Sequence, residues 1–170
     1  MAGSTPSPRR GGAGRRIRLE IVNRTGARLP ARTVLLRAAG MALAGCGRGR
    51  PLLLTLVCVG ARRMAALNRR FHGCAEPTDV LSFPLDEVDE DTGRLVVGEV
   101  VVCRPVAERE ARRRGLAVGD ELLLYALHGW LHLAGHDDHA EEDRRRMRAA
   151  ERRILRKLGR EAQARSCPDR

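Results

Sequence analysis

The sequence of 170 residues predicts one domain of the α/β (α+β) class, in which helices pack on a small mixed β-sheet of about four strands. Segments with strand-like apolar patterns and segments with apolar residues at helical spacing follow one another in the order β-α-β-α-β-β-α-α-α. The length is sufficient for one domain with a substantial core. We expect the domain to span residues 17–158, between a disordered basic tail at 1–16 and a C-terminal tail at 159–170.

Strands and helices alternate in the first half of the chain. Residues 17–22 alternate apolar and charged side chains, which predicts a half-buried strand. Residues 31–44 carry apolar side chains at helical spacing and predict an amphipathic helix. Residues 52–59 predict a buried strand, and residues 61–71 a second helix. The inward face of this second helix is predicted to consist of Met64, Leu67 and Phe71.

A pair of strands is predicted next. Residues 80–83 form a short strand that Pro84 should close, because proline has no N–H to donate to a neighbouring strand. An acidic loop follows at 86–93. Residues 94–103 predict a longer strand, in which Gly98 marks a bulge or a close approach of another backbone.

Three helices complete the domain. Residues 105–114 have a proline near the first turn, where it is well tolerated in a helix. Asp120 is the predicted N-cap of the next helix, and Gly135 its predicted stop. Residues 140–158 predict a final amphipathic helix. Its apolar stripe consists of Met147, Ala150, Ile154 and Leu158.

The middle one of these helices carries the most informative side chains. Between residues 122 and 134 the only strongly polar side chains are His128 and His132, which lie four apart and share one face. Burying two imidazoles is costly unless their nitrogens find partners, and a metal ion satisfies both. After the turn at Gly135 a third ligand can return to the same point; the candidates are His136, Asp137, Asp138 and His139. Three ligands with an open position are typical of catalytic zinc.

The charge of the chain indicates a polyanionic partner. Lys and Arg total 32 against 21 Asp and Glu, a net charge of +11. Nucleic acid is the simplest such partner. Because the chain has only two Phe, one Trp and one Tyr, a broad base-stacking platform is not expected, and phosphate contacts should dominate.

Cysteine usage and hydropathy indicate a cytoplasmic protein. The five cysteines are odd in number and contain no Cys-x-x-Cys pair, which fits a reducing compartment. The start of the sequence lacks the apolar core of a secretory signal. The longest apolar run, residues 52–60, is too short to span a bilayer, so no membrane association is expected.

The chemistry of such a metal centre favours phosphodiester hydrolysis over peptide hydrolysis. Zinc proteases with a helical histidine pair carry a glutamate as general base directly after the first histidine. Gly129 occupies that position here. The missing base and the basic charge both favour a nucleic-acid substrate, although a zinc metalloprotease stays the less favoured alternative.

Four stretches of the sequence carry a family resemblance. They are residues 67–71, 77–84 and 98–102, and the run from His128 to His139 that contains His-Gly-x-Leu-His-Leu-x-Gly. Together they resemble the YbeY family, metal-dependent endoribonucleases that are also described as rRNA maturation factors. Met147 and Glu151 fall where the last helix of that family usually has them. The resemblance covers roughly residues 17–158.

The resemblance implies a zinc-dependent endoribonuclease that cleaves single-stranded RNA, with one Zn²⁺ ion held by three histidines. It further implies a role in 16S rRNA 3′-end maturation and in ribosome quality control. The implied partners are rRNA and the small ribosomal subunit, and no DNA partner is expected. A non-catalytic, metal-stabilised assembly factor that binds rRNA is the alternative.

This chain departs from the family pattern at two places. The family's third histidine directly follows a single aspartate, whereas here one residue is extra, so that Asp138 stands at the expected position. We predict the metal ligands to be His128, His132 and His139, with Asp138 as the alternative third ligand. The second departure is His72, where many relatives have an arginine. Since imidazole can transfer protons near neutral pH and a nearby arginine can contact phosphate, His72 and Arg70 are the predicted catalytic residues.

Overall fold

A computed structural model describes residues 17–26 and 28–160. The predicted tail at 1–16 lies outside the described residues, as does the C-terminal tail from residue 161 onward. Four strands and five α-helices follow in the predicted order: β1 (Ile17–Asn23), α1 (Arg32–Ala42), β2 (Leu52–Val59), α2 (Ala61–His72), β3 (Val80–Val88), β4 (Leu95–Cys103), α3 (Arg104–Arg114), α4 (Val118–Leu133) and α5 (Glu141–Lys157). The predicted α/β class with a mixed four-stranded sheet is confirmed.

The four strands form one sheet in the order β1-β2-β4-β3. β1, β2 and β4 run parallel, with Ile17 beside Leu52 and Leu52 beside Leu95. β3 runs antiparallel to β4 at the edge of the sheet. The central strands β2 and β4 are largely buried, which matches their nearly continuous apolar sequences.

A bulge interrupts β4 at Gly98. Leu53 pairs with Val96 and Leu54 with Gly98, so one residue of β4 has no counterpart in β2. A Cβ atom at position 98 would lie only 2.4 Å from the carbonyl oxygen of Phe83. The prediction of a bulge and a close backbone approach at Gly98 is therefore confirmed.

The predicted end of β3 at Pro84 is wrong. The strand continues through Pro84 to Val88, with an irregular register between Pro84 and Glu87. Because β3 pairs with β4 on one side only, an edge position tolerates a residue without an N–H. Part of the predicted acidic loop is therefore strand.

Helix α4 lies at the centre of the core. It contacts β3 and β4 of the sheet and also packs against α1, α3 and α5. Every residue from Glu121 to Leu131 is buried. The prediction of Asp120 as N-cap is wrong, because α4 begins at Val118 with Ala117 as its N-cap. Asp120 instead lies in the first turn, where a negative charge is favourable near the helix N-terminus.

Two side chains of the helices differ from the apolar pattern of the sequence. The side chain of Phe71, predicted to point inward, is 49% exposed at the end of α2 and contacts the ring of Phe83. The buried stripe of α5 contains a carboxylate, Glu151, among its apolar residues.

Of the helices in residues 17–26 and 28–160, none is long and apolar enough to cross a membrane.

Candidate metal centre

The last two turns of α4 bring the two histidine rings together. The Nε2 atoms of His128 and His132 lie 3.0 Å apart. Nδ1 of His128 lies 2.8 Å from Oε1 of Glu151, and Nδ1 of His132 lies 3.0 Å from the carbonyl oxygen of His136. Both Nδ1 atoms therefore have partners, and both Nε2 atoms point to a common position.

The partners of the two rings determine their tautomers. A carbonyl oxygen can only accept a hydrogen bond, so Nδ1 of His132 carries the hydrogen. A carboxylate likewise accepts, and Glu151 holds the hydrogen of His128 on Nδ1. In neutral rings each Nε2 then presents a lone pair, and two lone pairs 3.0 Å apart repel unless a proton or a metal ion lies between them. The arrangement is that of two metal ligands whose orientation is set by outer hydrogen bonds.

Asp138 completes a group of three potential ligands. Its Oδ2 lies 3.6 Å from Nε2 of His128, and its Oδ1 lies 3.8 Å from Nε2 of His132. A hydrogen bond from His128, which its Nε2 can donate when the ring is protonated, lowers the pKa of the Asp138 carboxyl to about 2, and the nearby histidine charges act in the same direction. Burial lowers the pKa of His132, and the charge of His128 adds to this effect. Near neutral pH the site therefore combines an ionised carboxylate with a neutral imidazole.

The structure places the predicted third ligand, His139, in a second possible group with Asp137 and Asp138, while Asp138 alone joins both groups. The side chain of His139 is 91% exposed, and it does not join the group formed by His128, His132 and Asp138. The reason lies in Asp137, whose Oδ1 accepts hydrogen bonds from the backbone amides of Asp138 (2.7 Å) and His139 (3.2 Å). This local turn directs the Asp138 carboxylate toward the histidine pair, so the geometry favours the alternative ligand.

Glu151 belongs to the site through its contact with His128, although the sequence spacing of the candidate ligands did not predict it. Its side chain is 5% exposed, and it comes from the middle of α5, 23 residues from its partner His128. A signal for it exists in the sequence. Glu151 lies four residues after Met147 and three before Ile154, on the stripe of α5 that is otherwise apolar. A carboxylate on a buried stripe requires a partner.

The group of His128, His132 and Asp138 lies in a cleft of about 1030 Å³. Four of the residues lining the cleft are arginines: Arg109, Arg114, Arg144 and Arg148. Arg114 is held between Glu110 (3.7 Å) and Glu121 (3.6 Å). The Arg114 side chain is only 13% exposed, whereas Arg109, 3.5 Å from Glu110, is 65% exposed and Arg148, 3.9 Å from Glu141, is 30% exposed. These two guanidinium groups are therefore the ones best able to contact an incoming anion.

The two predicted catalytic residues lie in different places. His72, at the end of α2, lines the same cleft as His128 and His132. Arg70 does not line it; its guanidinium lies over the exposed ring of Phe71, 5.3 Å from the ring centroid. The structure thus brings His72, but not Arg70, into the cleft that contains the candidate metal centre.

Gly129 shows why this helix cannot carry a protease-type base. A Cβ atom at this position would lie 2.6 Å from Cγ1 of Val100 and 2.9 Å from Oγ of Ser82. Ser82 also donates a hydrogen bond to the carbonyl oxygen of Gly129 (3.3 Å). Helix and sheet are in direct contact here, so a glutamate side chain has no space. This packing argues against the zinc metalloprotease alternative.

Fold and site together define a small α/β protein with a candidate metal centre on its central helix, inside a cleft that carries arginines. Residues 32–159 match the sequence profile of the family Endoribonuclease YbeY. The chain belongs to this family, and the resemblance seen in its motifs is confirmed.

Several members of the family are similar over most of the chain. The chain is 38% identical to the Endoribonuclease YbeY of Pelotomaculum thermopropionicum, over 74% of this chain and 84% of that protein. The corresponding values are 39%, 77% and 80% for the protein of Alkalilimnicola ehrlichii, and 37%, 81% and 93% for that of Salinispora tropica. A solution structure of a Thermotoga maritima protein matches with a TM-score of 0.54 and 25% identity, over 84% of this chain and 92% of that one.

Proposed function

We propose that this protein is a zinc-dependent, single-strand-specific endoribonuclease that acts in 16S rRNA 3′-end maturation and in ribosome quality control. Membership of an endoribonuclease family supports RNA as the substrate. The observation that carries the proposal is the convergence of two imidazole Nε2 atoms and one carboxylate at one point of a cleft lined by arginines. The proposed partners are rRNA and the small ribosomal subunit, in the cytoplasm.

Zinc fits the donor set present in the site. Two histidines and one carboxylate, with a further position open, form a known type of catalytic zinc centre. His128, His132 and Asp138 would hold the ion, and their ligand atoms all lie within 4.8 Å of one another. When it is bound, zinc supplies Lewis-acid chemistry for hydrolysis of a phosphodiester.

The side chains of this protein have separate roles in the proposal. Glu151 holds the His128 ring in the tautomer that presents Nε2 to the metal position. Arg109 and Arg148, which line the cleft, contact phosphates of the RNA backbone and offset charge in the transition state. His72 contacts a phosphate or transfers a proton to the leaving oxygen. Arg70 contacts the RNA outside the cleft.

Two matched substitutions test the third ligand. Asp138→Ala is expected to weaken zinc binding strongly, because it removes the one carboxylate of the three-residue group. His139→Ala changes an exposed neighbour and is expected to leave zinc affinity unchanged. Titration of metal-free protein with zinc in the presence of a chromophoric chelator measures both. The opposite ranking of the two variants would restore His139 as the ligand.

A third substitution tests the activity. His132→Ala is expected to abolish both zinc binding and cleavage of a labelled single-stranded RNA. The unchanged protein is expected to cleave that RNA and to leave a duplex of the same sequence intact. Full cleavage by His132→Ala without bound metal would refute the proposal. RNA binding without any cleavage, in preparations free of contaminating nucleases, would instead support the non-catalytic assembly factor.

A further inference from the structure

The third potential ligand lies on an irregular segment, residues 134–140, between α4 and α5. His128 and His132 are carried by a buried helix, but Asp138 depends on the conformation of this segment. One of its hydrogen bonds, from the His136 amide to the Leu131 carbonyl (3.0 Å), ties the start of the segment to α4. The position of Asp138 therefore requires additional contacts further along.

Arg144, in the first turns of α5, supplies such contacts. Its Nη1 donates to the carbonyl oxygen of Asp138 at 3.3 Å and to that of His139 at 2.5 Å. Its Nε and Nη2 both donate to Oε2 of Glu141, at 3.2 and 3.1 Å. One planar guanidinium thus links the backbone of the ligand-bearing segment to the start of α5.

These contacts act together with those of Asp137. Asp137 organises the amide side of the segment, since its carboxylate accepts from the amides of Asp138 and His139. Arg144 holds the carbonyl side of the same two residues. With both sides held, the Asp138 side chain is left to project toward the Nε2 atoms of the histidine pair.

We propose that Arg144 is a positioning residue of the metal centre, which holds the backbone of Asp138 so that its carboxylate meets the histidine pair. The inference rests on the metal site proposed above and does not require that the protein cleaves RNA. Helix α5 then orients two of the three ligands, His128 through the Glu151 carboxylate and Asp138 through the Arg144 guanidinium. Such outer contacts typically contribute 10- to 100-fold to metal affinity.

The neighbouring residue Arg145 provides a matched control. Its Nε also donates a hydrogen bond to Oε1 of Glu141, at 3.2 Å. Its side chain, however, is 73% exposed and is not among the residues that line the cleft. Arg144→Ala and Arg145→Ala therefore remove the same charge from the same helical turn. Only Arg144→Ala removes hydrogen-bond donors to the carbonyl oxygens of the ligand-bearing segment. Arg144→Met, which keeps an apolar stem without donors, replaces Arg144→Ala if that variant does not fold.

The experiment measures zinc affinity and backbone protection of the full-length chain. The Kd for zinc, from competition with a chromophoric chelator, is expected to rise about tenfold in Arg144→Ala and to stay within twofold in Arg145→Ala. In the metal-free proteins, hydrogen–deuterium exchange of a peptide covering residues 136–140 is expected to accelerate in the Arg144 variant alone. Arg144→Lys, which can reach one carbonyl but lacks the planar fork, should restore part of the affinity.

Equal zinc affinity and equal exchange in the two alanine variants would overturn the inference. A loss of RNA affinity in Arg144→Ala with unchanged zinc affinity would also overturn it, and would make this arginine a phosphate contact instead. If the unchanged protein binds no zinc, both this inference and the proposed metal centre fail. If it binds zinc with the predicted Arg144 dependence but cleaves no RNA, only the proposed activity fails.

Discussion

Replacing Glu151 by glutamine tests how strongly the buried carboxylate supports the histidine ligands. Glutamine has nearly the same shape, and its carbonyl oxygen can still accept the hydrogen from Nδ1 of His128, at a site where both side chains are at most 10% exposed. The substitution therefore removes charge without opening a cavity. We expect the Kd for zinc to rise about tenfold, measured by chelator competition on metal-free protein.

The magnitude follows from the kind of hydrogen bond that is lost. A hydrogen bond to a charged group contributes about 1.5–3 kcal/mol and one between neutral groups about 0.5–1.5 kcal/mol. The contact between Glu151 and His128 is short, 2.8 Å, which is typical of a charge-assisted bond. It strengthens further when a cation withdraws electrons from the ring. A difference of about 1.4 kcal/mol corresponds to a tenfold change in affinity.

Glu142→Gln is the control on the same helix, because Glu142 is 74% exposed and pairs with one surface arginine, Arg146. It should bind zinc like the unchanged protein. If Glu151→Gln also binds zinc within twofold of the unchanged protein, then the carboxylate does not tune the ligand and the reasoning is refuted. If both variants lose affinity equally, the effect comes from net charge rather than from this contact.

Three further predictions concern packing, pH and salt. Gly129→Ala should destabilise the fold by about 1–3 kcal/mol in chemical denaturation, because its Cβ would meet Val100 at 2.6 Å, whereas Gly119→Ala on the same helix meets no atom within 4 Å and should not destabilise. Because burial lowers the pKa of His132 in the folded protein, the unfolded chain binds a proton at this histidine first as the pH falls through about 6.5, and the metal-free protein should lose stability below that pH. A free energy of unfolding that is constant between about pH 8 and 5 would contradict this prediction. Replacing both Arg109 and Arg148 by alanine should reduce the slope of log Kd for single-stranded RNA against log salt concentration by about 1.4, the value expected for the loss of two phosphate contacts. An unchanged slope would exclude both residues from the RNA interface.

Local sequence patterns were sufficient to predict most of the fold and, within the candidate site, the histidine pair. The order of strands and helices, the buried α4 and the bulge at Gly98 follow from apolar periodicity and from the properties of glycine. The paired histidines follow from their spacing on a buried helix. The errors arose where neighbours in space override local preference: Pro84 is tolerated because β3 is an edge strand, and Phe71 faces outward beside Phe83.

By itself, the sequence determined the class of the fold, the family and the first two members of the ligand group, because each depends on side chains a few residues apart. The tertiary structure decided what surrounds them. The partner of His128 comes from α5, and the position of Asp138 depends on a turn held by Asp137 and Arg144. One extra residue after a glycine turn is compatible with either Asp138 or His139 as a ligand, and only the hydrogen bonds of the folded turn direct one toward the site and the other toward solvent.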